Sequence, residues 1–184
     1  MSWRVNGFFR KIYVREGQCN AGKVKGIIRG VRWMNFLTDE GELMLLIPEI
    51  EGDTQEARLN WLERNTTVLT VPEGQHIKDV ILRSGGYIDQ IGFVTNTGKI
   101  LGPVGGTGGC QRNVYKESCE RGNPNRKKWG LSPPTHYKQH YLCGLTGEIF
   151  ENGGSPLMAR LKFIFARISY NQRVEKEYPM SDDD

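Results

Sequence analysis

The sequence predicts an all-β protein, and three observations carry that prediction. Apolar runs of strand length recur along the chain, they are punctuated by Gly, Asn, Asp or Pro, and 23 of the 184 residues are glycine. That glycine share exceeds the usual value of about 7%, and many of the glycines stand in pairs: Gly85-Gly86, Gly105-Gly106, Gly108-Gly109 and Gly153-Gly154. Short runs rich in Val, Ile, Leu and Phe, separated by residues that favour reversals, read as strands joined by tight turns.

In chain order the runs are Val24 to Ile28, Met34 to Leu37, Leu43 to Ile47, Thr67 to Val71, Asp79 to Leu82, Ile91 to Thr95, Tyr141 to Leu145 and Leu161 to Ile168. One helix candidate interrupts them, Thr54 to Arg64, where Ala57, Trp61 and Leu62 have helical spacing. An irregular loop is the alternative there. A chain of 184 residues suits a single domain able to bury a core without disulfides or metal. Within it, about 49–66 and 110–137 read as insertions and about 170–184 as a C-terminal tail.

Self-comparison reveals an internal repeat. Val31-Arg32-Trp33-Met34-Asn35-Phe36-Leu37-Thr38-Asp39-Glu40-Gly41 lies over Ile88-Asp89-Gln90-Ile91-Gly92-Phe93-Val94-Thr95-Asn96-Thr97-Gly98 without a gap. Both read apolar, x, x, apolar, x, Phe, apolar, Thr, Asx, x, Gly, a strand followed by a turn that reverses the chain. A weaker third copy runs from Met158 to Phe165. Ahead of each copy stands a glycine-containing strand, at Val24 to Gly30, Val80 to Gly86 and Cys143 to Gly154. Three hairpin-bearing units are expected.

The stretch Val80-Ile81-Leu82-Arg83-Ser84-Gly85-Gly86-Tyr87-Ile88-Asp89, continued to Gly102-Pro103-Val104-Gly105-Gly106-Thr107-Gly108-Gly109, resembles the signature of the jacalin-related lectins. The likeness is strong over about 80–109, fair over 24–47 and 141–168, and absent over 49–66 and 111–135. It implies a β-prism (the jacalin-like β-prism I), three Greek-key four-stranded sheets with pseudo-threefold symmetry, here with long insertions. It also implies a non-enzymatic, lectin-like carbohydrate-binding domain with one weak mannose- or glucose-type site at a Gly-x-x-x-Asp loop. The chemistry can be argued from the residues themselves. Asp89 would accept two hydroxyl hydrogen bonds while backbone N–H groups donate to hydroxyl oxygens. Gly85 and Gly86 would permit a close approach and positive φ angles, and Tyr87 would cover the C–H face of a ring. Gly105, Gly106, Gly108 and Gly109 would form the neighbouring wall. At the position of Asp89 the first unit has Arg32 and the third Ala159, so one site of three is expected. The alternative is that Asp89 caps a hairpin and the glycines serve only turns.

The rival function is a protein-interaction module on the same scaffold, its sugar loop vestigial and its basic insertion binding a partner. Arg121, Arg126, Lys127, Lys128 and Trp129 are the candidate contacts, against the reading of a solvated loop. A net charge of +4 and the absence of a nucleic-acid module disfavour nucleic acid as the partner. Cys110, Cys119, His136, His140 and Cys143 invite a zinc reading, but their spacing matches no compact finger, so no metal or other cofactor is expected. No nucleophile elbow, phosphate loop or metalloprotease helix occurs, and the expectation is no enzyme. The charged N-terminal segment MSWRVNGFFRKIYVREG has no signal-like apolar stretch, giving a cytosolic or nuclear expectation, or a secreted one if the start is not native. No run suits a membrane span. A homodimer is a further expectation.

Overall fold

The computed structural model describes residues 2–6, 8–20, 27–44, 50–119, 140–152, 155–169 and 172–179. Their strands are β1 (Ser2–Asn6), β2 (Phe9–Asn20), β3 (Ile27–Thr38), β4 (Leu43–Met44), β5 (Thr67–Thr70), β6 (Ile77–Ser84), β7 (Ile88–Thr95), β8 (Ile100–Gly105), β9 (Cys110–Asn113), β10 (His140–Asn152), β11 (Ser155–Ser169) and β12 (Gln172–Pro179). The helices are α1 (Gln55–Asn65) and α2 (Val114–Cys119). The chain is thus all-β in class, and every strand pairing is antiparallel. No helix among the described residues is long and apolar enough to cross a membrane.

The sheet orders are β4-β3-β2-β5, β8-β7-β6-β9 and β1-β10-β11-β12. In the first two, three hairpin-connected strands are followed by a fourth that returns beside the first, the Greek-key arrangement. In the third, the N-terminal strand β1 takes that fourth place next to β10, so the two ends of the chain share a sheet.

The first two units match in register residue for residue, and the third follows them through its first shift. Each leading hairpin has a register shift at one end, Phe9/Lys11, Ile77/Asp79 and Leu142/Gly144, and a second further along, Arg15/Glu16, Arg83/Ser84 and Thr146/Glu148. A bulge resets the two-residue alternation, so core-facing residues stand three apart across it. This gives Phe9 and Ile12, Ile77 and Val80, Leu142 and Leu145 on the leading strands. On the following strands it gives Val31 and Met34, Ile88 and Ile91, Met158 and Leu161. All twelve lie in one buried cluster, together with Phe36, Phe93 and Phe163. The core is therefore built in layers, each taking one side chain from each sheet.

The turns after β3 and β7 are superposable in their bonding. Thr38 N–H donates to Glu42 O, Gly41 N–H to Thr38 O and Glu42 N–H to Thr38 Oγ1; Thr95, Gly98 and Lys99 repeat all three bonds. Gly41 and Gly98 close these turns at φ +83° and +88°, which a side chain would strain. The third unit has Phe165 where the others have Thr38 and Thr95, and β11 runs on to Ser169 instead of turning. One residue ahead of the first layer, the equivalent positions are Phe8, His76 and Tyr141. Their rings form a row, with centroids 5.3 Å apart for Phe8 and His76 and 5.1 Å for His76 and Tyr141.

The Thr54 to Arg64 segment is helical, as α1. Thr54 Oγ1 caps it by accepting from Ala57 N–H. It covers the outer face of the first sheet, where Tyr13, Trp33 and Leu37 pack with Ile50 and Leu62. Trp33 and Trp61 stack at 6.2 Å.

Several boundaries differ from expectation. The strand leading the first unit is β2, not Val24 to Gly30; Ile27–Gly30 begins β3, and 24–26 lie outside the described residues. The charges at Arg10, Lys11, Arg15 and Glu16 and the two bulges hid β2. Residues 110–113, expected in an insertion, form the polar fourth strand β9, and most of the expected tail is β12. Of Leu43 to Ile47 only Leu43–Met44 is described.

Candidate functional site

Asp89 is the extra residue of the second bulge in β7. Gln90 pairs with Arg83 and Ile88 with Ser84, which makes Asp89 the extra residue between two consecutive pairs of the β6–β7 ladder. A bulged residue is re-aimed out of the ladder, and here the carboxylate turns toward the loop between β8 and β9. Only 7% of Asp89 is exposed. A Cβ placed on Gly108 would stand 2.7 Å from Asp89 Oδ1, and one on Gly109 2.7 Å from Asp89 Oδ2. Those two backbones approach the carboxylate closer than any side chain would allow. The structure thus brings Asp89 together with Gly108 and Gly109, which lie some twenty residues further along the chain.

Gly105 and Gly106 are fixed differently. Gly105 N–H donates to Glu16 Oε1 at 3.0 Å, and Gly106 N–H donates to Asp89 O at 2.7 Å. A Cβ on Gly105 would overlap the Asp89 carbonyl oxygen, and one on Gly106 the Arg29 carbonyl oxygen. Gly105 at φ +127° and Gly109 at φ +66° need glycine for conformation as well as for space. The expectation for Gly85 and Gly86 is corrected. Neither takes a positive φ, both are exposed, and a Cβ on either would meet nothing within 4 Å. They lie in the bend after β6, where Gly85 N–H donates to Tyr87 O, with Tyr87 half-buried.

Two residues that sequence reasoning missed hold the wall in place. Arg83 donates to Thr107 O and Gly109 O, each at 3.2 Å, bracing the glycine loop from β6. Glu16, on β2 of the neighbouring sheet, accepts from Gly105 N–H and from Arg29 Nη2 at 2.8 Å. The signal for Arg83 was present in the repeat. Its register equivalent in the first unit is Arg15, whose guanidinium likewise donates to a backbone carbonyl just ahead of the fourth strand, that of Asn65. Beside Gly109, Ser84 Oγ is buried and has no hydrogen-bond partner among the described residues.

The residues at the repeat positions of Asp89 are placed differently in the other two units. Arg32, half-buried, occupies the bulge of the first unit, whereas in the third the buried Ala159 pairs with Glu148 and the ladder skips Arg160, at φ +53°, and Leu161. Arg121, Arg126, Lys127, Lys128 and Trp129 lie outside the described residues. Of the zinc candidates, Cys110 is exposed on β9, and Cys143 is buried against Ile164 and Phe8. His140 is buried with its ring 5.9 Å from that of Tyr115, and His136 lies outside the described residues. Among the described residues no three His, Cys, Asp or Glu side chains could hold a metal ion.

No protein-family model matches the chain, and no curated protein matches it in sequence. Among solved structures it is similar to a prostate-specific glycoprotein lectin, WGA16, at 13% identity and a TM-score of 0.47, over 89% of this chain and 88% of that one. It is also similar to the agglutinin of Calystegia sepium, at 14% identity and a TM-score of 0.43, over 86% of this chain and 87% of that one.

Proposed function

We propose that the three sheets form a β-prism of the jacalin-related kind, and that the chain is a non-enzymatic lectin domain binding a mannose- or glucose-type sugar at Asp89. The observation that carries this reading is the convergence of the bulged Asp89 carboxylate with the Gly108–Gly109 backbone, a strand bulge and a loop distant in sequence meeting at one carboxylate. A carboxylate accepts two hydroxyl hydrogen bonds, and backbone N–H groups beside it donate to the oxygens of the same diol. Asp89 takes the first role and the Gly108–Gly109 turn the second, with Tyr87 against the C–H face of the ring. Gly105 and Gly106 do not touch the ligand in this reading. Their N–H groups are given to Glu16 and to Asp89 O, and they act by holding the wall. One shallow site of this kind reaches about millimolar affinity, roughly −4 kcal/mol, so useful avidity comes from several copies, as in a homodimer.

The test is a glycan array of the domain beside Asp89→Ala and Asp89→Asn, with circular dichroism on all three. The amide keeps the shape of the packed side chain but loses an acceptor. Binding by the wild type that both folded variants lose supports the reading. Binding that survives both, or a silent array from a folded wild type, overturns it.

A second reading, a protein-interaction module with a vestigial sugar site, draws on the low exposure of Asp89 and on the two glycine N–H groups already used within the protein. It expects a protein partner that is lost on deleting residues 120–137 and retained by Asp89→Asn in a co-precipitation assay.

A further inference from the structure

At the other end of the sheets from Asp89 lies a cleft of about 560 Å³, within the size range of small-ligand sites. Six residues of β7 separate Asp89 from the turn at Thr95, roughly 20 Å of strand at about 3.3 Å per residue. The cleft opens between the start of β2, the turn after β3 and the connector from β5 to β6. Phe9, Val71 and Pro72 give it an apolar floor, and Arg10, Asp39 and Glu73 stand among its lining residues. Beside it runs the row of rings formed by Phe8, His76 and Tyr141.

Comparison of the units explains why the space is open. Val68 and Asn113 are register equivalents, paired with Tyr13 and Ile81, so two residues further on Thr70 in the first unit corresponds to Tyr115 in the second. Tyr115 is fully buried, its ring 4.5 Å from that of Phe165, and α2 is drawn in over it because its Tyr115 and Lys116 N–H groups donate to the buried carboxylate of Asp79. Thr70 is exposed and puts no ring there.

We infer that this cleft is a second ligand site, for a neutral hydroxyl-bearing ring such as a pyranose. The lining charges decide the class. Arg10, held at the rim by its bond to Asp39 O at 2.8 Å, opposes a cationic ligand, while Asp39 and Glu73 oppose an anionic one. Neither carboxylate forms an ion pair among the described residues. Acceptors on Asp39 and Glu73 together with guanidinium donors on Arg10 match hydroxyls, which both donate and accept. Phe8, His76 and Pro72 offer the flat apolar surface that the C–H face of such a ring requires. The inference does not depend on sugar binding at Asp89. If both sites are occupied, the domain is bivalent along the length of its sheets.

The experiment follows the imidazole resonances of His76, assigned with His76→Phe, during titration with methyl α-mannoside, methyl α-glucoside and methyl β-galactoside to about 100 mM, a range set by millimolar affinity. It uses the wild type, Asp89→Ala, Glu73→Gln and Thr70→Tyr, the last placing in the first unit the ring that fills the second. A sugar-dependent shift retained in Asp89→Ala, weakened in Glu73→Gln, and lost or weakened at least about tenfold in Thr70→Tyr supports the second site. Glu73 is exposed, so Glu73→Gln tests the cleft even if Thr70→Tyr fails to fold. No shift with any sugar overturns it, as does a shift that disappears in Asp89→Ala but persists in Glu73→Gln. A response to choline or sulfate in place of sugars overturns the neutral class.

Discussion

The first and second units share a frame down to single hydrogen bonds and differ where that frame leaves a position open. Thr38 and Thr95 close the same turn with the same three bonds, and Phe36 and Phe93 occupy the same core layer. Yet the bulge holds Arg32 in one and Asp89 in the other, and the position two residues on from Val68 or Asn113 is an exposed Thr70 in one and a buried Tyr115 in the other. Core-facing and turn residues carry the architecture because the packing of three sheets and the sharpness of two turns constrain them. The bulge is constrained only in being an extra residue, so its side chain is free to carry chemistry. The candidate site of the second unit and the cleft of the first are therefore two different uses of one scaffold.

The comparison breaks first if the three units do not share one core. Phe36→Ala, Phe93→Ala and Phe163→Ala each remove a fully buried ring from the same layer and should each cost about 3–5 kcal/mol. Urea unfolding measures this, and a cost below about 1 kcal/mol for one of them would remove its unit from the common core. Next comes the contrast between the two glycine pairs. Gly106→Ala drives a methyl into the Arg29 carbonyl and should lose about 2–3 kcal/mol, whereas Gly85→Ala and Gly86→Ala enter open space and should stay within about 0.5 kcal/mol. Equal losses at Gly86 and Gly106 would mean that the wall at Asp89 is not built as described.

Much of this frame was legible in the chain, and the reason is physical. The spacing apolar, x, x, apolar in the repeat is the trace of a bulge, since only an extra residue places Ile88 and Ile91 on the same face of a strand. Asp89 stands in that gap, so its special position was written in the pattern before its neighbours were known. The Gly105 to Gly109 wall was legible as composition, because backbones that approach so closely leave no room for a Cβ. Other parts were hidden. β2 mixes outward charges with two breaks in alternation, and β9 is four residues with no apolar member but Cys110. Glu16 and Arg83 act through backbone groups of residues distant in sequence, a role that no local spacing encodes. Gly85 and Gly86 illustrate the opposite error, glycines whose pairing suggested a strained turn where the backbone is ordinary.

The turn threonines give a smaller and sharper test. Thr38→Val and Thr95→Val keep the shape of a buried side chain but remove the acceptor of Glu42 N–H or Lys99 N–H, and each should cost about 1–2 kcal/mol by thermal unfolding. Thr95 Oγ1 also bonds Thr97 Oγ1 at 3.1 Å, so the cost at Thr95 should be the larger by up to about 1 kcal/mol. A larger cost at Thr38 than at Thr95 would show that the two turns, which share three bonds, are supported differently by the chain around them.

The smallest effect distinguishes Phe8 from His76, which stand at equivalent places with only one able to titrate. Burial pushes the His76 imidazole below its ordinary 6.5, and the nearby Asp39 carboxylate only partly opposes this. In the unfolded chain the ring takes up its proton as pH falls through 6.5, while the folded protein resists protonation to a lower pH. The unfolded state therefore binds more protons in that window. The contribution of His76 to stability is full above pH 6.5 and falls away as pH drops toward the folded value. His76→Phe copies the first unit into the second and should flatten this part of the stability profile while leaving stability at pH 8 nearly unchanged. Urea midpoints of the two proteins between pH 8 and pH 5 measure it. A variant whose midpoint falls on acidification as steeply as the wild type would assign the acid sensitivity to another group and leave His76 acting, like Phe8, as one more ring in the row.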